Sequence, residues 1–148
     1  MKRIFRILMI AICCMVSCNM VANAGNDKPI SVNALPAKAQ TLLNNHFNGQ
    51  KVMLATIESG VFSRSYDVVL QNGTKQEFDK KGNLTEIDCK QGIVPALLIP
   101  QAIKNYLKDN YAGQSVKKIE MNKNEYEVEL TNGLDLTFNK HFQLIDID

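Results

Sequence analysis

The second half of this chain repeats the first, and that constrains its fold more than any other feature. Leu35-Pro36 lies over Ile99-Pro100 at an offset of 64, which also places Leu43 over Leu107, Gly49-Gln50 over Gly113-Gln114 and Val52 over Val116. The first copy then carries extra residues near Val61 to Ser65, and the offset becomes 60. Tyr66, Val68, Leu70, Asn72 and Gly73 now meet Tyr126, Val128, Leu130, Asn132 and Gly133. Phe78, Lys80, Leu84, Ile87 and Asp88 meet Phe138, Lys140, Leu144, Ile147 and Asp148. The matches fall on apolar and turn positions, the signature of one supersecondary unit used twice.

Each copy opens on a helix. Leu35, Ala39, Leu42, Leu43 and Phe47 share one face of a 3.6-residue period, and Ile99, Ile103, Tyr106, Leu107 and Tyr111 repeat the spacing. Pro36 and Pro100 suit the first helical position, and Gly49 and Gly113 suit a left-handed C-terminal stop. Strands follow. A first strand is expected around Val52–Ile57 and Val116–Met121. Tyr66, Val68 and Leu70 alternate with Asp67, Val69 and Gln71; Tyr126, Val128 and Leu130 alternate with Glu127, Glu129 and Thr131. Asn72-Gly73 and Asn132-Gly133 predict hairpins, because both residues tolerate positive φ. The return strands are Thr74–Phe78 and Leu134–Phe138. The turn Asp79-Lys80-Lys81-Gly82 leads to a last strand at Leu84–Cys89, whereas the matching turn, Asn139–Gln143, has no glycine.

The predicted fold class is α+β, two-layered, a tandem duplication of a helix plus a roughly four-stranded antiparallel sheet. The expected divisions are a signal peptide at 1–24, a loose segment at 25–33, the first repeat at 34–89, a connector at 90–98 and the second repeat at 99–148. Ile93, Val94, Leu97 and Leu98 make the connector a packed segment. A single copy would bury little, and two together make a core.

The N-terminus bears on compartment. Met1 to Arg6 is short and basic, Ile7 to Ser17 is apolar, and Ala22-Asn23-Ala24 precedes Gly25. That is the order of a secretory signal cut after Ala24, and its apolar run is shorter than the roughly 20 residues that cross a bilayer. Met15-Val16-Ser17-Cys18 also resembles a lipoprotein cleavage site, so an envelope lipoprotein anchored through Cys18 is the alternative. Removing residues 1–24 takes Lys2, Arg3 and Arg6 from the 17 basic residues and leaves the 15 acids intact, so the mature charge is −1 rather than +2. No basic patch calls for nucleic acid. Cys13, Cys14 and Cys18 leave as well, so Cys89 has no internal disulfide partner and is expected to be buried.

Residues Leu35-Pro36…Phe47, Tyr66-Asp67-Val68-Val69-Leu70-Gln71-Asn72-Gly73 and Phe78-Asp79-Lys80-Lys81-Gly82-Asn83-Leu84 resemble the PepSY-like family of exported proteins, also described as beta-lactamase-inhibitor-like. Ile99-Pro100…Tyr111 and Tyr126 to Gly133 follow the same pattern, so the resemblance spans nearly all of residues 29–148. It implies a beta-lactamase-inhibitor-protein-like arrangement and carries no catalytic residues. Its motifs specify fold more than function.

The residues themselves offer little chemistry. His46 and His141 form no metal-ligand spacing, and His46 reads as a partly buried helix residue. Cys89 has no nucleophile motif around it, and no Gly-x-Ser-x-Gly is present. Asp79-Lys80-Lys81-Gly82-Asn83 lacks the alternating acids of a calcium loop and reads as a hairpin turn. No catalytic, metal or cofactor site is expected. What remains is a charged strand face: Asp67, Val69, Lys75 and Glu77 in the first copy, and Glu127, Glu129 and Asp135 in the second, with Lys117 and Lys118 placed to neutralise some of the acids. A solvated sheet face explains it, and so does a surface for an unknown protein partner. The expected function is an exported non-enzymatic binding module, inhibitor-like by fold analogy. A small-ligand carrier with a groove between the repeats is a third reading. Contact with a membrane is expected only through a lipid on Cys18, and oligomeric state is left open.

Overall fold

The computed structural model describes residues 27–60 and 63–148. The signal segment, both candidate cleavage points and residues Val61 and Phe62 of the inserted loop lie outside them.

After an edge strand β1 (Asp27–Pro29), a 3-10 turn at Val32–Ala34 leads into helix α1 (Ala37–His46) and then strands β2 (Val52–Ser59), β3 (Arg64–Leu70), β4 (Lys75–Asp79) and β5 (Leu84–Asp88). The same succession follows: a 3-10 turn at Ala96–Leu98, helix α2 (Gln101–Asn110), and strands β6 (Val116–Met121), β7 (Glu125–Leu130), β8 (Asp135–Asn139) and β9 (Leu144–Ile147). The expectation of two sheets of about four strands is corrected: the strands form one antiparallel sheet of nine, ordered β1 to β9. The seam is β5–β6, where Ile87 pairs with Ile119 and Asp88 with Lys118. Two four-stranded sheets set edge to edge would leave two open edges of hydrogen-bonding groups, and pairing β5 with β6 satisfies both.

Both helices cover one face. Leu35, Ala39 and Leu43 bury against Ala55, Tyr66, Val68, Leu70 and Phe78. Ile103 and Leu107 bury against Ile87, Ile119, Val128, Leu130, Leu136 and Phe138. Phe47 and Leu84 pack on both clusters and join them. Each helix starts one residue later than expected. Pro36 and Pro100 are N-caps, and their carbonyls accept the first helical bonds from Gln40 and Lys104 at 3.1 Å each. Gly49 and Gly113 are left-handed, with φ of 90° and 85°.

Both expected hairpins form, each with one positive torsion. Only Gly73 and Gly133 of the two Asn-Gly pairs have positive φ, and the asparagines do not. The Gly73 amide donates to the Leu70 carbonyl, and the Leu70 amide donates to that of Thr74, both at 2.9 Å. This is a three-residue loop ending on a left-handed residue, the common alternative to the two-residue turn. The asparagine acts through its side chain: Asn72 Oδ1 accepts from the Thr74 amide at 3.0 Å and Asn132 Oδ1 from the Leu134 amide at 3.2 Å. The turn at 139–143, which has no glycine, closes in the same way as 79–83, with Phe142 at φ 60° in the place of Gly82. Asp79 Oδ1 accepts from the Lys81 and Asn83 amides, and Asn139 Oδ1 from the His141 and Gln143 amides.

Residues 27–29 were expected in a loose segment and instead pair with β2, from Asp27 opposite Glu58 to Pro29 opposite Thr56. The connector packs only in part. Val94 is buried and its amide donates to the Val116 carbonyl, while Ile93 is exposed and Leu97 is 82% exposed.

Candidate functional site

Strand alternation sends every second residue to the helices and the rest to the opposite face. The helix-facing row runs in register across the sheet as Ala55, Val68, Gln76, Ile87, Ile119, Val128, Leu136 and Ile147. The neighbouring row on the open face runs Thr56, Asp67, Glu77, Glu86, Glu120, Glu127, Thr137 and Asp146. From Asp67 to Glu127 every member of that row is a carboxylate, each directly opposite the next. Strands lie about 4.8 Å apart, so these are nearest neighbours.

Like charges directly opposite one another destabilise a sheet, and at Asp67 and Glu77 they add to the effect of burial. Asp67 is pushed above the usual Asp value by burial, then by Asp27, Glu58 and Glu86, with Lys75 opposing. Glu77 is raised by burial, then by Asp67, Glu86 and Glu120. The next row, Val69, Lys75, Asp88, Lys118, Glu129 and Asp135, mixes the signs. Lys118 reaches Glu86 at 3.1 Å, Lys117 reaches Glu129 at 2.9 Å and Lys90 reaches Asp88 at 2.7 Å. Burial would lower the Lys118 ammonium, but the Glu86 charge and hydrogen bond outweigh it and hold it above its usual value. Asp135 is raised by burial and by Glu129.

The structure thus brings Asp67, Val69, Lys75, Glu77, Glu127, Glu129 and Asp135 onto one face of one sheet. Sequence reasoning missed Glu86 and Glu120, which bridge the two halves of the row. Each lies on a strand that alternates correctly, but their meeting depends on the β5–β6 seam. The expected neutralisation by Lys117 and Lys118 divides between the halves: Lys117 pairs within the second, and Lys118 pairs across the seam.

Elsewhere the chemistry is sparse. His46 is half-buried at the end of α1 and His141 is exposed in a turn. Cys89 is buried, and burial pushes its thiol up. Asp79 is committed to its own turn, accepting from the Lys81 and Asn83 amides at 2.7 and 2.9 Å and from Asn83 Nδ2 at 2.7 Å. Among the described residues no three His, Cys, Asp or Glu side chains converge to hold a metal ion, and no helix is long and apolar enough to cross a membrane. A cleft of about 240 Å³ lies at the end of α1, lined by Gln40, Asn44, Phe47, Gln50 and Val52 among others, inside the first half rather than between the halves.

The family described as "Putative beta-lactamase-inhibitor-like, PepSY-like" matches residues 64–146. A crystal structure of a putative periplasmic protein from the DUF2874 family of Bacteroides vulgatus is 49% identical, superposes with a TM-score of 0.82 and covers 84% of this chain and 98% of that one. A putative calcium-regulated periplasmic protein from Bacteroides thetaiotaomicron is also 49% identical, with a TM-score of 0.79, covering 82% of this chain and 96% of that one. A second B. vulgatus periplasmic protein, described as of unknown function, is 41% identical with a TM-score of 0.77, covering 82% and 98% of the two chains. No curated protein matches the chain.

Proposed function

We propose that this chain, which belongs to the PepSY-like, beta-lactamase-inhibitor-like family, is an exported, non-enzymatic binding module that holds a cationic surface of a partner protein on its open sheet face. The observation that carries the reading is the carboxylate row from Asp67 through Glu77, Glu86 and Glu120 to Glu127. A fold keeps an unfavourable arrangement of this kind where something outside it gains. Lysine or arginine side chains laid along the row would relieve the repulsion and make charge-assisted hydrogen bonds. The mixed row of Val69, Lys75, Glu129 and Asp135 would frame the contact and set its register. The inhibitor character implied by the family would follow if the partner's active site lies beside such a cationic surface.

Export is supported by the periplasmic description of the relatives and by the N-terminal pattern. Mass spectrometry of the mature N-terminus separates a free Gly25 from an acylated Cys18. We also read the two halves as copies of one unit, supported by the matched positions and by the repeated succession of 3-10 turn, helix and four strands.

Crosslinking and pull-down from the native envelope, with the mature protein and with its Glu77→Gln/Glu120→Gln variant side by side, tests the function. A partner held by the wild type, released by the variant and released by salt supports it. The same partner held equally by both sinks it, as would turnover of esters, peptides or glycosides by the pure protein.

One relative is described as calcium-regulated, and this favours a second reading. Divalent cations would neutralise the row as a whole and gate the partner, without a dedicated cage. Calcium that raises the wild-type melting temperature and leaves that of the Glu77→Gln/Glu120→Gln variant unmoved would support it. Equal shifts in the two would refute it.

A further inference from the structure

We propose that the outer edge of β9 is a strand-addition site, which takes an extended segment of a partner polypeptide bearing a lysine beside an apolar residue.

The chain already contains one such complex. β5, Leu84-Thr85-Glu86-Ile87-Asp88, is covered by β6, Val116-Lys117-Lys118-Ile119-Glu120-Met121. Ile87 pairs with Ile119 and is 0% exposed; Asp88 pairs with Lys118, whose ammonium also reaches Glu86 at 3.1 Å. β9 presents the same edge a second time. Its residues Leu144-Ile145-Asp146-Ile147 run into Asp148, and Ile147 sits opposite Leu136 on β8 as Ile87 sits opposite Gln76 on β4. Ile147 is nevertheless 48% exposed, and Ile145 is exposed beside it. Among the described residues no strand lies beyond β9.

The backbone of that edge is aimed outward. Asp148 exchanges both its bonds with Asp135 at 2.9 Å. Antiparallel alternation therefore turns the N–H and C=O of Ile147 away from β8. The opposite end of the sheet is closed by contrast. The outer edge of β2 is covered by β1, and Ile30 directs its amide inward to Ala55. The same alternation puts the Pro29 nitrogen on the outer side of β1, where a proline offers no N–H and blunts the edge.

Charge decides the occupant. Asp146 lies on the open face opposite Thr137, and Asp148 opposite Asp135 repeats the place of Asp88 opposite Lys75. In a β9–β9 pairing of two copies these acids would meet acids. A segment of the Lys-Ile kind would bring an apolar side chain to Ile147 and an ammonium opposite Asp148 within reach of Asp146, as Ile119 and Lys118 of β6 do on β5, where Lys118 lies opposite Asp88 and reaches Glu86. Backbone bonds would supply affinity and the alternating side chains specificity. Asp146 continues the open-face row beyond Thr137, but the backbone edge of β9 does not depend on what the carboxylates from Asp67 to Glu127 bind.

The probe is a synthetic peptide of residues 114–121, Gln-Ser-Val-Lys-Lys-Ile-Glu-Met, titrated into the mature protein with amide exchange read at β9. The expected result is saturable binding with slowed exchange at Ile147. Ile147→Pro, which removes the outward N–H, weakens binding about tenfold or more, and Ile147→Lys abolishes it. A peptide with both lysines changed to glutamate does not bind. Binding that survives both Ile147 variants overturns the proposal. So does the absence of binding, or a concentration-dependent dimer that Ile147→Lys dissolves.

Discussion

Gln76 on β4 occupies the place in the sheet's apolar row that Leu136 occupies on β8. It lies between Val68 and Ile87, is 2% exposed, and neither atom of its amide has a hydrogen-bond partner among the described residues. Burying an amide without partners costs about 1–3 kcal/mol. Gln76→Leu, close in volume and matched to the second half, is expected to stabilise the protein by about that amount. Urea denaturation, read as a higher midpoint at unchanged slope, checks it.

The turns at Gly82 and Phe142 share a backbone but differ in surroundings. A Cβ on Gly82 would lie 2.7 Å from Pro36 Cβ and 3.1 Å from the Ala39 nitrogen, so the glycine lets α1 dock as well as allowing φ 79°. Gly82→Ala should destabilise by about 2 kcal/mol or more, from the left-handed torsion and the contact with the helix. At Phe142 the torsion cost is already borne, and its ring packs on Tyr126 with centroids 4.9 Å apart. Phe142→Ala should cost a further 0.5–1.5 kcal/mol or so. Thermal melts of the two variants test both.

Acid should at first stabilise this protein. Asp67 and Glu77 are held above their ordinary values of 3.8 and 4.5 by burial and neighbouring acids. The folded state takes up their protons before the unfolded state does. The resulting stability is fully present below the unfolded values and is lost as pH rises through the folded ones. Asp79 works in the opposite sense. Its turn hydrogen bonds outweigh burial and lower it, so its contribution is present above 3.8 and disappears as pH falls through its depressed value. The melting temperature should therefore rise from neutral pH towards the ordinary carboxylate range and fall below it. Asp67→Asn/Glu77→Gln should flatten the rise and keep the fall.

The seam should make the two halves unfold as one cooperative unit. Ile119 is fully buried opposite Ile87, and Ile119→Ala should cost about 2–5 kcal/mol. Calorimetry should record a single transition before and after the substitution. Two separated transitions would mean that the halves fold independently.

Cys89 offers a probe of opening. It is buried, and burial pushes its thiol above the ordinary value. In the chain beginning at Gly25 a thiol reagent should react slowly under native conditions, and with one equivalent once urea unfolds the protein.

Helices, strands and turns were legible in the sequence because each depends on near neighbours. Ile99, Ile103 and Leu107 declare a helical face by spacing alone, and Tyr126, Val128 and Leu130 declare a strand. The asparagines and glycines at 72–73 and 132–133 marked the hairpins, though the Asn side chain rather than its torsion turned out to matter. Phe142 could not be foreseen as a left-handed residue, because the ring packing on Tyr126 that accompanies it comes from another strand.

The candidate face divides in the same way. That Asp67, Glu77, Glu127 and Glu129 share a side of their strands follows from a period of two. That Glu86 and Glu120 complete a single line of carboxylates does not, because it needs β5 to find β6 across a connector and a helix. Local sequence determined the units and the direction in which each side chain points. Tertiary pairing decided that the units would share one sheet, with β1 closing one edge and Ile147 exposed on the other. Backbone hydrogen bonding drives that pairing, and strands β2 to β9 all offer the same kinds of donors and acceptors along their edges, so the choice of neighbour is settled only when the apolar rows meet in register.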